Sequence, residues 1–266
     1  MLSTEFSWTR WELHPSVVIG VAALAATYGW ALGPLRRRLG APPATMGQLA
    51  AFGASLLVLL VSLNGPLHDL SEQYLFSAHM VQHLLLTLAV PSFMLAGTPG
   101  WVVDWVTRPP SMAAAARLLT VPLVAFLLPN FVLGVWHLPG PYDSALEHHW
   151  LHIVMHLSLM VSAGILWWPV LSPTARFPRL HYSGQMLYLF ALGLPMSLIG
   201  ALITLAEHPI YRWYAAVPRL YPLSVVQDQR LGGLIMWVPG MLVFWGAMTI
   251  VWFRWAAREA DPPILS

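Results

Sequence analysis

The sequence predicts an all-α integral membrane protein, a seven-transmembrane helical bundle with its N-terminus outside and its C-terminus in the cytoplasm. Composition is the first observation behind this prediction. Hydrophobic residues make up 58% of the 266 residues and charged residues only 9%, against about 25% charged residues in a typical soluble domain. The second is that the apolar residues form stretches of roughly 20, the length a helix needs to cross a hydrocarbon core about 30 Å thick.

Seven such stretches follow one another along the chain. Hydropathy places them approximately at 16–33, 47–64, 75–97, 118–137, 149–170, 184–206 and 231–253. Four of them contain internal prolines, which remove a backbone donor and predict kinked helices. We find neither a repeat of the solenoid type nor a linker long enough to separate domains. Residues 1–266 are therefore predicted to form one membrane domain.

The arginines predict the orientation, because positive residues are retained on the cytoplasmic side of short loops. With the N-terminus outside, nine arginines lie on the inner side: Arg36, Arg37, Arg38, Arg108, Arg117, Arg176, Arg179, Arg254 and Arg258. Only four lie on the outer side: Arg10, Arg212, Arg219 and Arg230. The asymmetry favours this orientation over its reverse.

Several classes of function lack support in the sequence. The 13 positive charges, all of them arginine, nearly balance 11 acidic residues, so no broad basic surface is offered to nucleic acid. Cysteine is absent, which excludes disulfides and thiolate metal sites and leaves imidazole, thioether and carboxylate as ligands. We also find no phosphate-binding loop, GxSxG or HExxH motif, and we do not expect an enzyme.

Two pairs of histidines lie within predicted spans, on the outer side. His79 and His83 belong to the third span, and His152 and His156 belong to the fifth. In each pair the i, i+4 spacing projects both imidazoles from one helix face, about 6 Å apart along the axis. Counted from the outer ends of the two spans, the pairs reach similar depths. The four rings are therefore predicted to converge in one layer near the outer face.

Ionisable residues inside a membrane are costly and indicate function, so we favour a metal site formed by these four histidines. His149 is a candidate additional ligand at the mouth. Asp228 is a candidate for orienting a ligating imidazole, although an N-cap of its own helix is the more ordinary role for an aspartate before an apolar run. Imidazoles suit copper, zinc or iron alike. Hydrogen bonding between helices is the purely structural alternative, and the neighbouring methionines are expected mainly to pack.

Certain segments, taken together, resemble the multi-spanning CtaG family of cytochrome c oxidase assembly factors over roughly residues 45–255. These segments are His79–His83 followed by Gly97–Pro99, Trp136–Gly140 with Tyr142 and Asp143, His152–His156 with Gly164 and Trp167–Pro169, and Asp228–Trp237. The family is expected to carry an acidic residue before the second histidine of the fifth span, where this chain has Met155.

The resemblance implies a bacterial plasma-membrane protein that handles copper on the outer side during maturation of a haem-copper oxidase. Oxidase subunits and the lipid bilayer are then its expected partners, and a homo-oligomer stays open. Three alternatives remain beside it. One is a haem b electron carrier, with iron held between a histidine of the third span and one of the fifth. Another is a scaffold for oxidase subunits without a metal. The third is a transporter, because a polar cluster in a kinked bundle can mark an ion path, although the sequence shows no inverted repeat and no ionisable residue near the inner half of the third or fifth span.

Overall fold

The computed structural model describes residues 6–9 and 11–260. Arg10, which the orientation prediction places outside, lies outside the described residues. Within the described part every regular element is a helix, which confirms the all-α class. The helices are α1 (Pro15–Leu39), α2 (Met46–Ser62), α3 (Pro66–Gln73), α4 (Phe76–Gly97), α5 (Gly100–Val106), α6 (Pro110–Leu119), α7 (Pro122–His137), α8 (Pro139–Glu147), α9 (His149–Leu171), α10 (Tyr182–Leu205), α11 (Arg212–Ala216) and α12 (Val225–Ala260).

Five of these helices, α1, α4, α9, α10 and α12, are each long and apolar enough to cross a membrane. Two further pairs pass the same test only together, because the chain bends by 48° between α2 and α3 and by 77° between α6 and α7. The described residues therefore offer five spans, or up to seven if each bent pair is one span. The count of seven and the direction of the termini stay predictions.

Two of the predicted span starts differ from the structure by four or more residues, and the first and last helices also extend beyond their predicted ends, to Leu39 and Ala260. The fourth span was expected from residue 118, but α7 begins at Pro122 after a sharp bend, since proline favours the first turn of a helix. The last span was expected from residue 231, but α12 begins at Val225. Residues 227–230, within its first two turns, are polar, so hydropathy assigns them to a loop. Ser224 starts the helix, because its hydroxyl accepts from the Gln227 amide and Gln227 Oε1 accepts from the Ser224 amide.

Glycines let α12 approach its two main neighbours closely. A Cβ on Gly232 would overlap the Phe76 ring of α4, and one on Gly233 would overlap backbone atoms of Gly200 and Thr204 in α10. Small residues at such contacts allow helix backbones to pack tightly, which is the main source of attraction between helices in a lipid environment. This packing holds α4, with its histidine pair, against α12.

Candidate metal centre

The four predicted histidines lie together between α4 and α9. Ring centroids are 4.3 Å apart for His79 and His83, and 4.2 Å apart for His152 and His156. Between the helices, His79 lies 5.5 Å from His152 and 5.7 Å from His156, and His83 lies 5.5 Å from His156. All four side chains are buried. The predicted convergence of the two pairs in one layer is thus what the structure shows; whether they bind a metal stays a prediction.

Three of the four form the tightest group. His79, His83 and His156 each offer a nitrogen such that the three atoms lie within 4.8 Å of one another, and no other set of three or more potential ligands meets this criterion in the described part of the chain. His152 therefore stands beside the group rather than completing it. The structure narrows the predicted set of four to a central triad with one neighbour.

Tyr214 sets the tautomer of His79. Its hydroxyl donates to the Ser71 carbonyl, so the phenol oxygen accepts from His79 Nδ1 at 2.9 Å. Burial raises the pKa of Tyr214 well above its ordinary value, which keeps this hydroxyl protonated. With the proton on Nδ1, the Nε2 atom of His79 carries a lone pair. His83 Nε2 lies 2.8 Å from it and donates to it.

The same geometry fits a metal ion after a small adjustment. Metal–imidazole bonds of about 2.0–2.1 Å in a tetrahedral site place two nitrogens about 3.3 Å apart. The two Nε2 atoms of His79 and His83 at 2.8 Å would need to separate by about half an ångström, with the His83 proton moving to its Nδ1. That Nδ1 and the Nε2 of His156 are buried and have no hydrogen-bond partner in the described part of the chain. Buried polar atoms without partners are costly, and a cation would satisfy His156.

His152 is oriented by a carboxylate from α3. Its Nδ1 lies 2.7 Å from Glu72 Oε1, and the same oxygen lies 3.2 Å from His68 Nε2. A carboxylate that holds one imidazole nitrogen leaves the other free to accept, which is the usual arrangement behind metal-binding histidines. The Nε2 of His152 is buried and has no hydrogen-bond partner among the described residues.

Sequence reasoning missed His68, Glu72, His137 and Tyr214. His68 and Glu72 share the i, i+4 spacing that identified the other pairs, so the same rule applied to the short helix α3 would have found them. His137 ends α7, with Nδ1 held by the Leu133 carbonyl at 2.8 Å and its ring 5.6 Å from His83. Tyr214 belongs to the short helix α11, and nothing in the neighbouring sequence marks it as a site residue.

Asp228 plays neither of the two predicted roles. It is not the N-cap of its own helix, because α12 begins three residues earlier, and it does not bond to an imidazole in the described structure. Instead its carboxylate accepts from the Phe76 amide at 2.9 Å, from the Ser77 amide at 3.2 Å and from the Ser77 hydroxyl at 2.6 Å. The negative charge of Asp228 also lies at the N-terminal end of α4, where it interacts favourably with the positive end of the helix dipole. Asp228 thus fixes the start of the helix that carries His79 and His83.

The remaining sequence candidates lie at the margins of the cluster. His149 is exposed, one turn before His152 on α9. Met80 and Met155 are fully buried in apolar clusters, the first with Phe76 and Tyr142 and the second with Ala145 and Leu159. The prediction that the methionines mainly pack agrees with these contacts.

Tyrosines from the segments between the long helices cover one side of the histidine cluster. Tyr142 of α8 and Tyr211 and Tyr214 beside or within α11 are almost completely buried. Asp143 joins the two segments, because its carboxylate accepts from the Arg212 and Trp213 amides at 3.2 and 3.1 Å. Tyr142 lies 5.3 Å from the His79 ring. The cluster is therefore enclosed on this side by packed aromatic rings.

Comparisons with known proteins find a matching family model and several relatives. A family model described as cytochrome c oxidase caa3 assembly factor matches residues 26–258. An uncharacterized protein of Mycobacterium bovis and one of Mycobacterium tuberculosis are each 26% identical to the chain over 91% of its length, and one of Mycobacterium leprae is 23% identical over 95%. The chain spans only 39–40% of the length of these relatives.

No solved structure matches the chain. The family match extends over most of the sequence, including all three members of the central triad. The resemblance found in the histidine segments is thereby confirmed. The chain belongs to the cytochrome c oxidase caa3 assembly factor family.

Proposed function

We propose that this protein is a membrane assembly factor for a haem-copper cytochrome c oxidase, which binds copper at the histidine cluster and delivers it to an oxidase subunit. One observation carries the proposal: three buried imidazoles on two helices converge within 4.8 Å in a chain whose family is defined by oxidase assembly. Imidazole is a good ligand for copper. The choice of copper over zinc or iron rests on the family.

Several features of the cluster suit a site that holds an ion and then releases it. The ligand set consists of neutral imidazoles, and a carboxylate, Glu72, lies beside His152. We propose that the cluster faces the outer side of a bacterial plasma membrane, a proposal that the arginine asymmetry supports, and that transfer occurs there.

Copper loading of the purified protein tests the proposal. We expect about one copper ion per chain, and we expect His83→Ala and His156→Ala each to reduce loading several-fold, because each removes one of three ligands. His181→Ala is the matched control. His181 precedes α10; among the described residues its side chain hydrogen-bonds to Ser183 and its ring contacts Tyr182 and Trp255, and none of these belongs to the histidine cluster. Substoichiometric copper in the wild type, or unchanged loading in both variants, would contradict copper binding.

Oxidase maturation in cells separates copper delivery from a scaffold without a metal. Replacing His79, His83, His152 and His156 together with glutamine keeps polar side chains that can hydrogen-bond between helices. We expect oxidase activity to fall while the variant still accumulates in the membrane. An intact oxidase would instead favour the scaffold.

The haem b alternative has a direct optical test. His79 and His156 come from different helices with ring centroids 5.7 Å apart, so they are the pair that this alternative would use as axial ligands. A purified protein with a Soret band that His79→Ala or His156→Ala abolishes would favour haem. Our proposal expects no Soret band from protein that binds copper.

A further inference from the structure

A cavity of about 600 Å³ lies beside the histidine cluster, between α1, α4 and α9. This volume falls within the range of about 300–1,000 Å³ that is usual for small-molecule sites. The two ends of the cavity differ in chemistry. Its polar end is lined by His14, His68, Glu72, His149, His152 and His156, and nearly all of its remaining wall is apolar.

The cavity is long and is bounded by glycines. Along α9 its lining runs from His149 to Gly164, a rise of about 22 Å at 1.5 Å per residue. Gly164 and Gly20 of α1 both lie on its wall, and a Cβ at either would meet nothing within 4 Å. No residue of α1 between Pro15 and Trp30 is buried, so this helix packs loosely against the rest of the chain. The space therefore suits one extended apolar tail between α1 and α9.

The polar end requires an uncharged head that donates hydrogen bonds. Among the described residues no arginine lines the cavity, and Glu72 lies at this end, so the phosphate of a phospholipid or the carboxylate of a fatty acid would be repelled without a counter-charge. Because the Nδ1 of His152 is held by Glu72, its Nε2 is a buried acceptor that has no partner in the described residues. A hydroxyl group on the ligand would satisfy it.

A planar head fits this end better than a glycerol. The His68 and His152 rings both line the cavity and lie parallel within 8°, with centroids 6.4 Å apart. Flat imidazole faces favour contact with another flat ring. The ligand should therefore have a planar ring, a hydroxyl group on that ring and one long apolar tail. We propose that this cavity binds an isoprenoid quinol, with a ring hydroxyl donating to His152 Nε2 and the tail lying between α1 and α9.

Equilibrium titration of the purified full chain with decylubiquinol, under anaerobic conditions, tests this proposal. We expect saturable binding with one site per chain. Decylubiquinone has the same ring substituents and tail, but carbonyl oxygens replace the two hydroxyl donors. We expect it to bind about tenfold more weakly. No saturable binding of decylubiquinol, equal affinity for both compounds, or displacement of decylubiquinol by phosphatidylglycerol would each overturn the proposal.

Cavity-filling variants locate the site. Gly164→Leu places a side chain in the cavity without a clash at its Cβ, and we expect the affinity for decylubiquinol to fall at least tenfold. Gly20→Leu is a second variant from the opposite wall, for use if the first does not fold. Gly134→Leu is the matched control, because its Cβ also meets nothing within 4 Å and it lies outside the cavity lining. Wild-type affinity in both cavity variants would refute the location.

Copper loading of the same variants distinguishes this inference from the proposed function. Gly164 does not contact the central triad in any interaction the structure gives, so Gly164→Leu is expected to load copper as the wild type does. His152→Phe keeps a flat ring but removes the acceptor, and we expect it to abolish the preference for decylubiquinol over decylubiquinone. Retention of that preference would show that His152 does not receive the hydroxyl.

Discussion

Asp228→Asn is the substitution that most sharply tests how α4 is held in place. Asp228 is fully buried, and its two oxygens accept from Phe76, Ser77 and Arg219. An asparagine can keep one acceptor oxygen toward the Ser77 amide and hydroxyl. Its NH₂ group then faces the Phe76 amide and the Arg219 guanidinium, so two donors lose their acceptor at once.

The size of the effect follows from the burial of these partners. A buried donor that loses its acceptor costs about 1–3 kcal/mol, and hydrogen bonds to a charged acceptor lie at the upper end of this range. Most of the expected free-energy loss comes from the Phe76 amide, because it would be left buried without an acceptor. The Arg219 side chain is 25% exposed, so water can replace part of its ion pair, and its share is smaller. We expect a total loss of about 2–4 kcal/mol in the free energy of unfolding.

Thermal unfolding of the purified protein in detergent measures this loss. With about 2–4 °C per kcal/mol for a chain of this size, the midpoint should fall by roughly 5–15 °C. Glu147→Gln removes an exposed acid at the end of α8 and should leave the midpoint within about 2 °C. A midpoint for Asp228→Asn as close as that to the wild type would refute the role we assign to this carboxylate.

Three further substitutions test the site and its packing. Tyr214→Phe removes the oxygen that accepts from His79 Nδ1 and should lower copper affinity about 10–100-fold in competition with a chelator; unchanged affinity would contradict the proposed orientation of His79. His152→Gln should keep part of the copper that His156→Gln loses, because only the latter belongs to the central triad; equal losses would favour a four-histidine site. Gly232→Val should overlap the Phe76 ring and lower stability by about 1–3 kcal/mol or more, whereas Gly246→Val, with open space at its Cβ, should not.

The helical class and the histidine cluster were predictable because both follow from local periodicity. Apolar runs of the right length predict helices in a membrane, and i, i+4 spacing puts His79 with His83 and His152 with His156 on common faces. Matched depth from the ends of the two spans was then enough to bring the four rings together. None of these arguments requires knowledge of distant contacts.

The boundaries and the role of Asp228 were less predictable, because tertiary contacts decide them. Hydropathy counts the polar turn before Leu231 as a loop, but this turn is helical and its side chains bond to other elements: Asp228 to the start of α4 and Gln229 to the Ile210 amide. The carboxylate therefore caps a helix 151–152 residues away in sequence. Sequence spacing cannot show such a contact.

The surroundings of the cluster were missed for the same reason. Tyr214 reaches His79 from 135 residues away and belongs to the short helix α11, whose sequence gives no sign of a buried hydroxyl. His152 and His156 share the same i, i+4 spacing in the sequence, but Glu72 of α3 contacts His152 in the structure. The sequence does not show this contact. The cavity beside α1 depends on how loosely that helix packs, which composition does not encode.

X-ray absorption at the copper K-edge of the loaded protein tests the central claim most directly. We expect about three nitrogen neighbours near 2.0 Å, with the outer-shell scattering of imidazole rings, and a loss of that signal in His83→Ala and His156→Ala. A first shell dominated by sulfur near 2.3 Å, or a spectrum without imidazole scattering, would place copper away from His79, His83 and His156 and would contradict the claim.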